Sequence, residues 1–257
     1  SYFSWAMRLC DFPQGVFVMA LSTAALPSLS MLAARGAREE LVKTWAHGMG
    51  LAMFVALPAS AALVAIGEPL VVTLFQRGAF DALSAHETAR ALAWQGGAVW
   101  TVAGVRQIVP AFYAVGDTRT PVLVSIVDLG VFVGLALLLR GPMGHVGISV
   151  AVAGSSLAQM LLLLVALKVR LGSVGGAATW LSVARTMAAS LVASVAGWAV
   201  ARLCAPVGAA GAFARTLPGL AGLAAFGCTF VAVAWGTRSP ELSEIGGAVR
   251  RRLLRAR

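Results

Sequence analysis

Long apolar windows, separated by short polar connections, dominate the amino-acid sequence. A helix that spans a bilayer needs about 20 consecutive, mostly apolar residues, and seven windows reach that length. We predict helices over Phe12–Leu32, Trp45–Ile66, Ser84–Val115, Pro121–Leu139, Val146–Leu167, Trp180–Leu203 and Leu217–Trp235. The pattern therefore predicts an all-α integral membrane protein with about seven transmembrane helices.

Two of the connections, Ala33–Thr44 and Gly67–Leu83, are longer than the others. The second contains residues 74–80, LFQRGAF, an apolar and basic segment that we predict to lie at the membrane interface. The tail that follows the last window, residues 237–257, carries six arginines. We interpret this tail as an anchor on the membrane surface.

The composition supports a membrane protein. Apolar residues make up 59% of the chain and charged residues 12%, with a mean hydropathy of +0.86, whereas soluble domains carry about 25% charged residues. The 28 glycines fit spanning helices that pack closely through small residues. Cys10, Cys204 and Cys228 show no redox or metal-binding spacing, so we expect them to be structural.

Basic residues are distributed unequally between the two sets of connections. If the tail is placed in the cytoplasm and the windows alternate, thirteen basic residues fall on the cytoplasmic side. The opposite side holds four, Arg77, Arg140, Arg202 and Arg215, with Arg90 near them. The positive-inside rule then places the N-terminal end outside the cytoplasm. Anionic lipid accounts for the net charge of +10, so we expect no nucleic-acid partner.

The sequence contains no cluster of metal ligands, no nucleophile with a base partner and no phosphate-binding loop. Its three histidines are far apart, and most of its ten acidic residues lie in connections. We therefore predict that the protein is not an enzyme and has no cofactor or metal.

Charges at the edges of the apolar windows, or inside them, are the candidate functional residues. Arg8 and Asp11 share one helix face just before Pro13 and Gly15. One interpretation is a local ion pair, with Arg8 reaching the lipid headgroups. The other is a cavity arginine for an anionic substrate, because the planar guanidinium can bind two phosphate oxygens at once.

Three further charges have alternative interpretations. Arg106 lies about twelve residues into its window, too deep to reach the headgroups easily, so it lines a cavity or belongs to a buried structural pair. Arg90, at the window's edge, is either solvated or functional. Asp128 is a candidate for structural pairing, cation binding or proton transfer, and Gln159 for a hydrogen bond between helices. Basic cavity residues without catalytic groups indicate translocation of an anionic, amphiphilic substrate.

Several motifs occur in fixed order: RLxxFPxGV at 8–16, ALxT at 20–23, LPxLS at 26–30, LPA at 57–59, LFQRGAF at 74–80, FYAxGDTRTP at 112–121 and GHVG at 144–147, where x marks an unmatched position. Together they resemble the MurJ (MviN) family of lipid II flippases. The likeness runs from residue 1 to about residue 170 and then fades.

The resemblance implies a fourteen-helix protein of the MATE-like (MOP) flippase superfamily, in which two lobes surround a cationic cavity. This chain would be the C-terminal half, helices eight to fourteen, so we expect the first lobe to lie outside it. Residues 1–170 would form five helices of the second lobe, residues 171–236 two C-terminal helices that make a groove for the lipid tail, and residues 237–257 a cytoplasmic tail.

The resemblance also implies roles for individual residues. Arg8 matches a cavity arginine, Asp11 a position where an acid is usual, Arg106 a basic cavity position and Arg90 a frequent arginine. Met7 departs from the family because an acid is common there. On the fourth window, Phe132 and Ala136 stand where members often have Asn and Asp, so a cation site described for such members is not expected here, and Asp128 is not a clear substitute.

These observations lead to a hypothesis of lipid II flipping across the bacterial inner membrane for cell wall synthesis. The substrate would be the undecaprenyl-pyrophosphate-linked peptidoglycan precursor, bound by Arg8 and Arg106, with a membrane potential or an ion gradient as the energy source. Two alternatives remain open at this point. One is a related MATE-like exporter of drugs or lipid-linked polysaccharide, and the other is a non-transporting fragment.

Overall fold

The computed structural model describes residues 2–15, 19–76, 80–205 and 211–255. Within these ranges the chain forms eleven helices and no strand. The helices are α1 (Tyr2–Pro13), α2 (Met19–Ala34), α3 (Arg38–Ala65), α4 (Gly67–Phe75), α5 (Ala82–Gly97), α6 (Val99–Ala114), α7 (Arg119–Met143), α8 (His145–Leu171), α9 (Ala177–Leu203), α10 (Ala212–Gly236) and α11 (Pro240–Arg255).

Five of the helices in the described ranges are long and apolar enough to cross a membrane. They are α3, α7, α8, α9 and the Ala214–Gly236 part of α10. Each covers one of the seven apolar windows of the sequence and extends it by a few residues, except that α3 ends one residue before Ile66, the end of its window. The all-α membrane architecture predicted from the sequence is therefore confirmed.

The other two windows each fold as two shorter helices. The window predicted over Phe12–Leu32 becomes α1 and α2, and α1 begins at Tyr2, ten residues before the predicted start. The predicted window therefore started too late, whereas the expectation that Arg8 and Asp11 share a helix is confirmed, since both lie on α1. Pro13 is the last α-helical residue of α1; its missing N–H leaves one bond of the ladder unmade, and Gln14 and Gly15 follow as a π-helical turn.

The window predicted over Ser84–Val115 is divided at Ala98 into α5 and α6. Gly96 and Gly97 precede the division, and glycine is a weak helix former. The backbone is also held close to α3 at this point, because the Ser60 hydroxyl donates a hydrogen bond to the Gly96 carbonyl. A Cβ atom added at Gly96 would lie 2.7 Å from the Cβ of Leu63, so only glycine allows this approach.

Both long connections contain helical structure that the hydrophobic pattern did not predict. The connection Ala33–Thr44 is mostly the end of α2 and the start of α3, joined by a turn in which Gly36 has a φ of +69°. The connection Gly67–Leu83 contains α4, whose nine residues are too few to show a clear helical period. Residues 77–79 of the predicted interfacial segment lie outside the described residues.

Helices α3, α6 and α8 surround the main core with α2. Trp45, Met49, Phe112 and Leu163 are buried there. A second apolar cluster joins α3 to α9 and α10, with the ring centroids of Phe54 and Phe230 5.3 Å apart. In contrast, α7 packs mainly on α8, and Pro121 is its one buried residue. The pair α9–α10 is therefore attached to the rest of the bundle through α3 and α4.

Candidate functional site

Arg8 and Asp11 are both exposed on α1, opposite the face where Ala6 and Cys10 are buried. Among the described residues, no ion pair joins Arg8 to Asp11. Instead the guanidinium carbon of Arg8 lies 4.9 Å from the ring centroid of Trp5, a cation–π arrangement. The local ion pair considered from the sequence is therefore not formed. Arg8 keeps its charge available on the exposed face of α1.

Trp5 is fixed by the segment that the sequence analysis placed at the membrane interface. Its ring centroid lies 4.9 Å from that of Phe75 and 5.7 Å from that of Phe80, at the two ends of the LFQRGAF motif. This motif therefore has a packing role within the bundle. It holds the aromatic ring against which Arg8 rests.

Arg106 is half-buried on α6 and reaches the end of α1. Its Nη1 donates a hydrogen bond to the carbonyl oxygen of Gln14 at 3.4 Å. Gln14 and Gly15 continue α1 as a π-helical turn, so Arg106 contacts a backbone carbonyl just after Pro13.

The structure therefore connects Arg106 to the backbone of the segment that carries Arg8 and Asp11, and in the described part of the chain no hydrogen bond or ion pair joins Arg106 to either of these two side chains. Asp11 is three residues before Gln14, and six residues separate Arg8 from Gln14, or about 9 Å along a helix axis. Beside Arg106, the buried Gln107 accepts a hydrogen bond at its carbonyl from Trp45 Nε1 at 3.0 Å. Its side-chain Nε2 has no hydrogen-bond partner among the described residues.

Arg90 makes different contacts. It is exposed on α5, and its Nη1 lies 3.1 Å from both carboxylate oxygens of Glu87. The Glu87 carboxylate is also 3.3 Å from His145 Nε2 at the start of α8. Arg90 lines a cavity together with Arg202, and none of Arg8, Asp11 or Arg106 lines that cavity.

Asp128 lies on α7 near the interface with α8. Its Oδ1 is buried without a hydrogen-bond partner among the described residues, and no ion pair with a described arginine is formed. Ser125, one turn earlier on α7, accepts a hydrogen bond at its Oγ from Gln159 Nε2 of α8 at 3.3 Å. The predicted contact between helices at Gln159 is therefore confirmed. A carboxylate in this position carries no structural pair that would explain it.

Two acidic residues with defined contacts were not singled out from the sequence. Asp117, in the GDTRTP motif, accepts hydrogen bonds from the Thr120 backbone N–H at 3.0 Å and from Thr120 Oγ1 at 2.8 Å. These bonds, with Arg170 3.6 Å away, lower the pKa of the Asp117 carboxyl below its ordinary value. The Asp-x-x-Thr spacing before a helix is the signal that could have revealed this cap.

Glu241, the second acid, is buried in the first turn of α11. It accepts hydrogen bonds from Ser182 Oγ at 2.5 Å and from Ser239 Oγ at 2.8 Å. Its partner Ser182 is 59 residues away in sequence, on α9. Only the Ser-Pro-Glu start of a helix was visible in the sequence.

The five long apolar helices define a class, the polytopic α-helical membrane proteins. The model of one family, described as Lipid II flippase MurJ, matches residues 1–219. The chain belongs to this family.

Individual relatives agree with the family match. A probable lipid II flippase MurJ of Rhizobium meliloti (strain 1021) is 32% identical over 250 residues, which are 96% of this chain and 46% of the relative. One of Synechocystis sp. (strain ATCC 27184 / PCC 6803 / Kazusa) is 34% identical over 199 residues, which are 75% of this chain and 37% of the relative. The chain thus spans less than half the length of these curated relatives.

A solved structure shares the fold. The chain matches a lipid II flippase MurJ in an inward closed conformation with a TM-score of 0.70 and 17% sequence identity. The match covers 92% of this chain and 47% of that chain. The helical arrangement described above is therefore that of a MurJ flippase over about half of its length.

Proposed function

We propose that this chain acts as the C-terminal half of a flippase that moves lipid II from the cytoplasmic to the periplasmic leaflet of the bacterial inner membrane, for cell wall synthesis. The observation that carries the proposal is the contact of Arg106 with the Gln14 carbonyl. It supports a site in which the guanidinium groups of Arg8 on α1 and Arg106 on α6 bind one anionic ligand.

In this proposal Arg8 and Arg106 hold the pyrophosphate of lipid II. A guanidinium fork fits two phosphate oxygens at once, and the bond is charge-assisted. Arg8 is exposed and rests on Trp5 without an acidic partner among the described residues, so the ligand meets no competing carboxylate on that side chain. Asp11, one turn further along α1, limits the net positive charge and so favours release.

The α9–α10 pair, within residues 171–236, guides the hydrocarbon tail of the lipid. Residues 1–170 form part of the second lobe, and the first lobe belongs to the rest of the flippase. The two lobes rock about the site, driven by the membrane potential or an ion gradient without a cofactor. Asp128, with its unpartnered Oδ1, is the candidate for ion or proton binding. The N-terminal end of the chain is periplasmic and the tail is cytoplasmic.

Native mass spectrometry of the full-length protein with lipid II tests the site. We expect the Arg8→Ala/Arg106→Ala double variant to lose most of the lipid II binding. Arg140→Ala is the matched control. Arg140 is also an exposed arginine, but it lies in the last turn of α7, far along the chain from Arg8 and Arg106. Undiminished binding in the double variant would overturn the assignment. The function itself is tested by whether the intact gene sustains wall synthesis after depletion of the resident flippase.

A further inference from the structure

The cavity lined by Arg90 and Arg202 has a volume of about 670 Å³ and lies between α4, α5, α9 and α10. It is near the end of the bundle where α9 finishes and α10 starts. Its polar lining includes Arg90, Arg202, Arg215, His86 and Glu68. The rest of the lining is largely apolar, so the cavity combines charged groups at its mouth with a hydrocarbon-like wall.

The three arginines come from three different helices and are not equally compensated. Arg90 is paired with Glu87, and His86 Nδ1 lies 3.2 Å from Glu68 Oε1. Arg202 and Arg215, however, form no ion pair with any residue that the structure describes. Two guanidinium groups therefore face the cavity without an ion-pair partner among the described residues, while Glu68, the carboxylate that shares the cavity, contacts His86.

The contacts that Arg202 and Arg215 do make hold them in place without using up their charge. The guanidinium carbon of Arg202 lies 5.0 Å from the ring centroid of Trp198, one turn earlier on α9. Arg215 Nε donates to the Gly211 carbonyl at 3.4 Å. Since each guanidinium has five N–H donors, most of the donors remain available to a ligand.

The depth of the cavity indicates what kind of anion it takes. Arg202 is in the last turn of α9, where a spanning helix reaches the headgroup layer. Trp198 is half-exposed one turn further in, and tryptophan is enriched at that depth because its ring is amphipathic. Apolar residues such as Val64, Val72 and Pro218 line the same cavity. A ligand with a phosphate at the interface and an apolar chain below it matches this arrangement.

We propose that this cavity is a binding site for the phosphate group of an anionic membrane lipid, with Arg202 and Arg215 as its ligands. Arg90 adds a third guanidinium at the rim. The site is separate from the one proposed around Arg8 and Arg106, and the inference goes beyond the proposed function, because it requires neither lipid II nor flipping. In the orientation proposed above, the lipid belongs to the outer leaflet.

The test uses the full-length protein in nanodiscs of phosphatidylethanolamine with phosphatidylglycerol, analysed by native mass spectrometry after release. We expect wild type to retain phosphatidylglycerol and Arg202→Ala/Arg215→Ala to bind it about tenfold more weakly. Arg202→Lys/Arg215→Lys keeps both charges but loses the fork, so we expect an intermediate affinity and an unchanged melting temperature. Arg140→Ala is the control and should bind as wild type does.

Competition experiments identify the source of the phosphate. Neither inorganic phosphate nor phosphatidylcholine should displace phosphatidylglycerol at matched concentration, because the site needs both the net negative charge and the apolar chain. Equal retention by wild type and the alanine double variant would overturn the site. Complete displacement by inorganic phosphate, or by an undecaprenyl pyrophosphate lipid alone, would overturn its assignment to a phospholipid.

Discussion

Arg106 Nη1 donates a hydrogen bond to the carbonyl oxygen of Gln14 at 3.4 Å, and this bond connects the middle of α6 to the π-helical turn that follows α1. The bond gives Arg106 a structural role in addition to the proposed one. Any substitution of Arg106 changes both the positive charge that contacts this carbonyl and the planar fork that would bind a phosphate. The two tasks differ in what they require, so they can be separated.

Lysine at position 106 separates the two tasks. Arg106→Lys keeps the positive charge near the end of α1 but has no planar fork. We expect its free energy of unfolding to stay near that of wild type, whereas Arg106→Ala should lose about 1 kcal/mol. Lipid II affinity should fall by about tenfold in both variants. Thermal unfolding in detergent and native mass spectrometry measure the two quantities, and wild-type lipid II binding by Arg106→Lys would leave Arg106 with the structural task alone.

Sequence reasoning located Arg106 but not its partner, and the reason is general. A backbone carbonyl has no signature in the sequence, and Gln14 is 92 residues away. The long helices α7 to α10 could be predicted because their apolar windows are continuous. In contrast, the first window was started at Phe12 because the apolar run is interrupted by Arg8 and Asp11, although both fit on the exposed face of α1.

The cavity lined by Arg202 and Arg215 could not be predicted from the sequence either. The two residues are 13 positions apart in sequence, on different helices, and only the antiparallel pairing of α9 with α10 brings both to one cavity with Arg90 of α5. Charge counting placed all three at one side of the membrane. It could not show that they share a cavity, because that depends on how α4 and α5 pack against the pair.

Gly219 sets the closest approach of α10 to α4, and its replacement should separate them. A Cβ atom added there would overlap Thr73 Oγ1 and lie 2.6 Å from the Pro69 carbonyl oxygen. Thr73 Oγ1 itself donates to the Pro69 carbonyl at 2.8 Å, so it cannot move without losing that bond. We expect Gly219→Ala to lower the free energy of unfolding by about 1–3 kcal/mol.

Gly227 provides a matched control for Gly219. It lies on the same helix, two turns further along, and a Cβ atom added there meets nothing within 4 Å. Because alanine is a better helix former than glycine by about 1 kcal/mol, Gly227→Ala should be neutral or stabilising. Thermal unfolding of both variants in detergent checks the comparison, and equal stability of the two would contradict the packing described for α4 and α10.

Asp117 should make the stability of the α6–α7 turn depend on pH. Its hydrogen bonds from Thr120 and the nearby Arg170 lower its pKa in the folded protein. A carboxyl whose folded pKa is lowered stabilises the fold above its unfolded pKa, about 3.9, and that contribution is lost as the pH falls through the folded pKa. Wild type should therefore lose more stability than Asp117→Asn between pH 6 and pH 3.

The measurement for Asp117 is the melting temperature in detergent as a function of pH, for wild type, Asp117→Asn and Thr120→Val. Asp117→Asn should be less stable than wild type at pH 6 and should approach it at pH 3. Thr120→Val keeps the backbone N–H bond but removes the hydroxyl, so its difference from wild type should be smaller. A difference that is the same at both pH values would show that the carboxyl charge plays no part in the turn.

Glu241 should decide whether α11 stays docked on the bundle. Its carboxylate is buried, accepts from Ser182 and Ser239, and lies so close to α3 that a Cβ atom at Gly50 would be 3.3 Å from its Oε1. Glu241→Ala leaves Ser182 and Ser239 without their acceptor. We expect faster amide hydrogen exchange over residues 242–247, since the start of α11 then loses its main polar contact with α9.

Glu244 is the control for Glu241 because it lies on the same helix but in an exposed pair, with His47 Nε2 3.1 Å from its Oε2. An exposed pair contributes about 0–1 kcal/mol, so Glu244→Ala should raise the exchange rate far less than Glu241→Ala. Ser182→Ala, which leaves Glu241 with the Ser239 hydroxyl alone, should fall between them. Exchange in Glu241→Ala as slow as in wild type would mean that α11 is held by its apolar contacts with α3 and α10 rather than by the buried carboxylate.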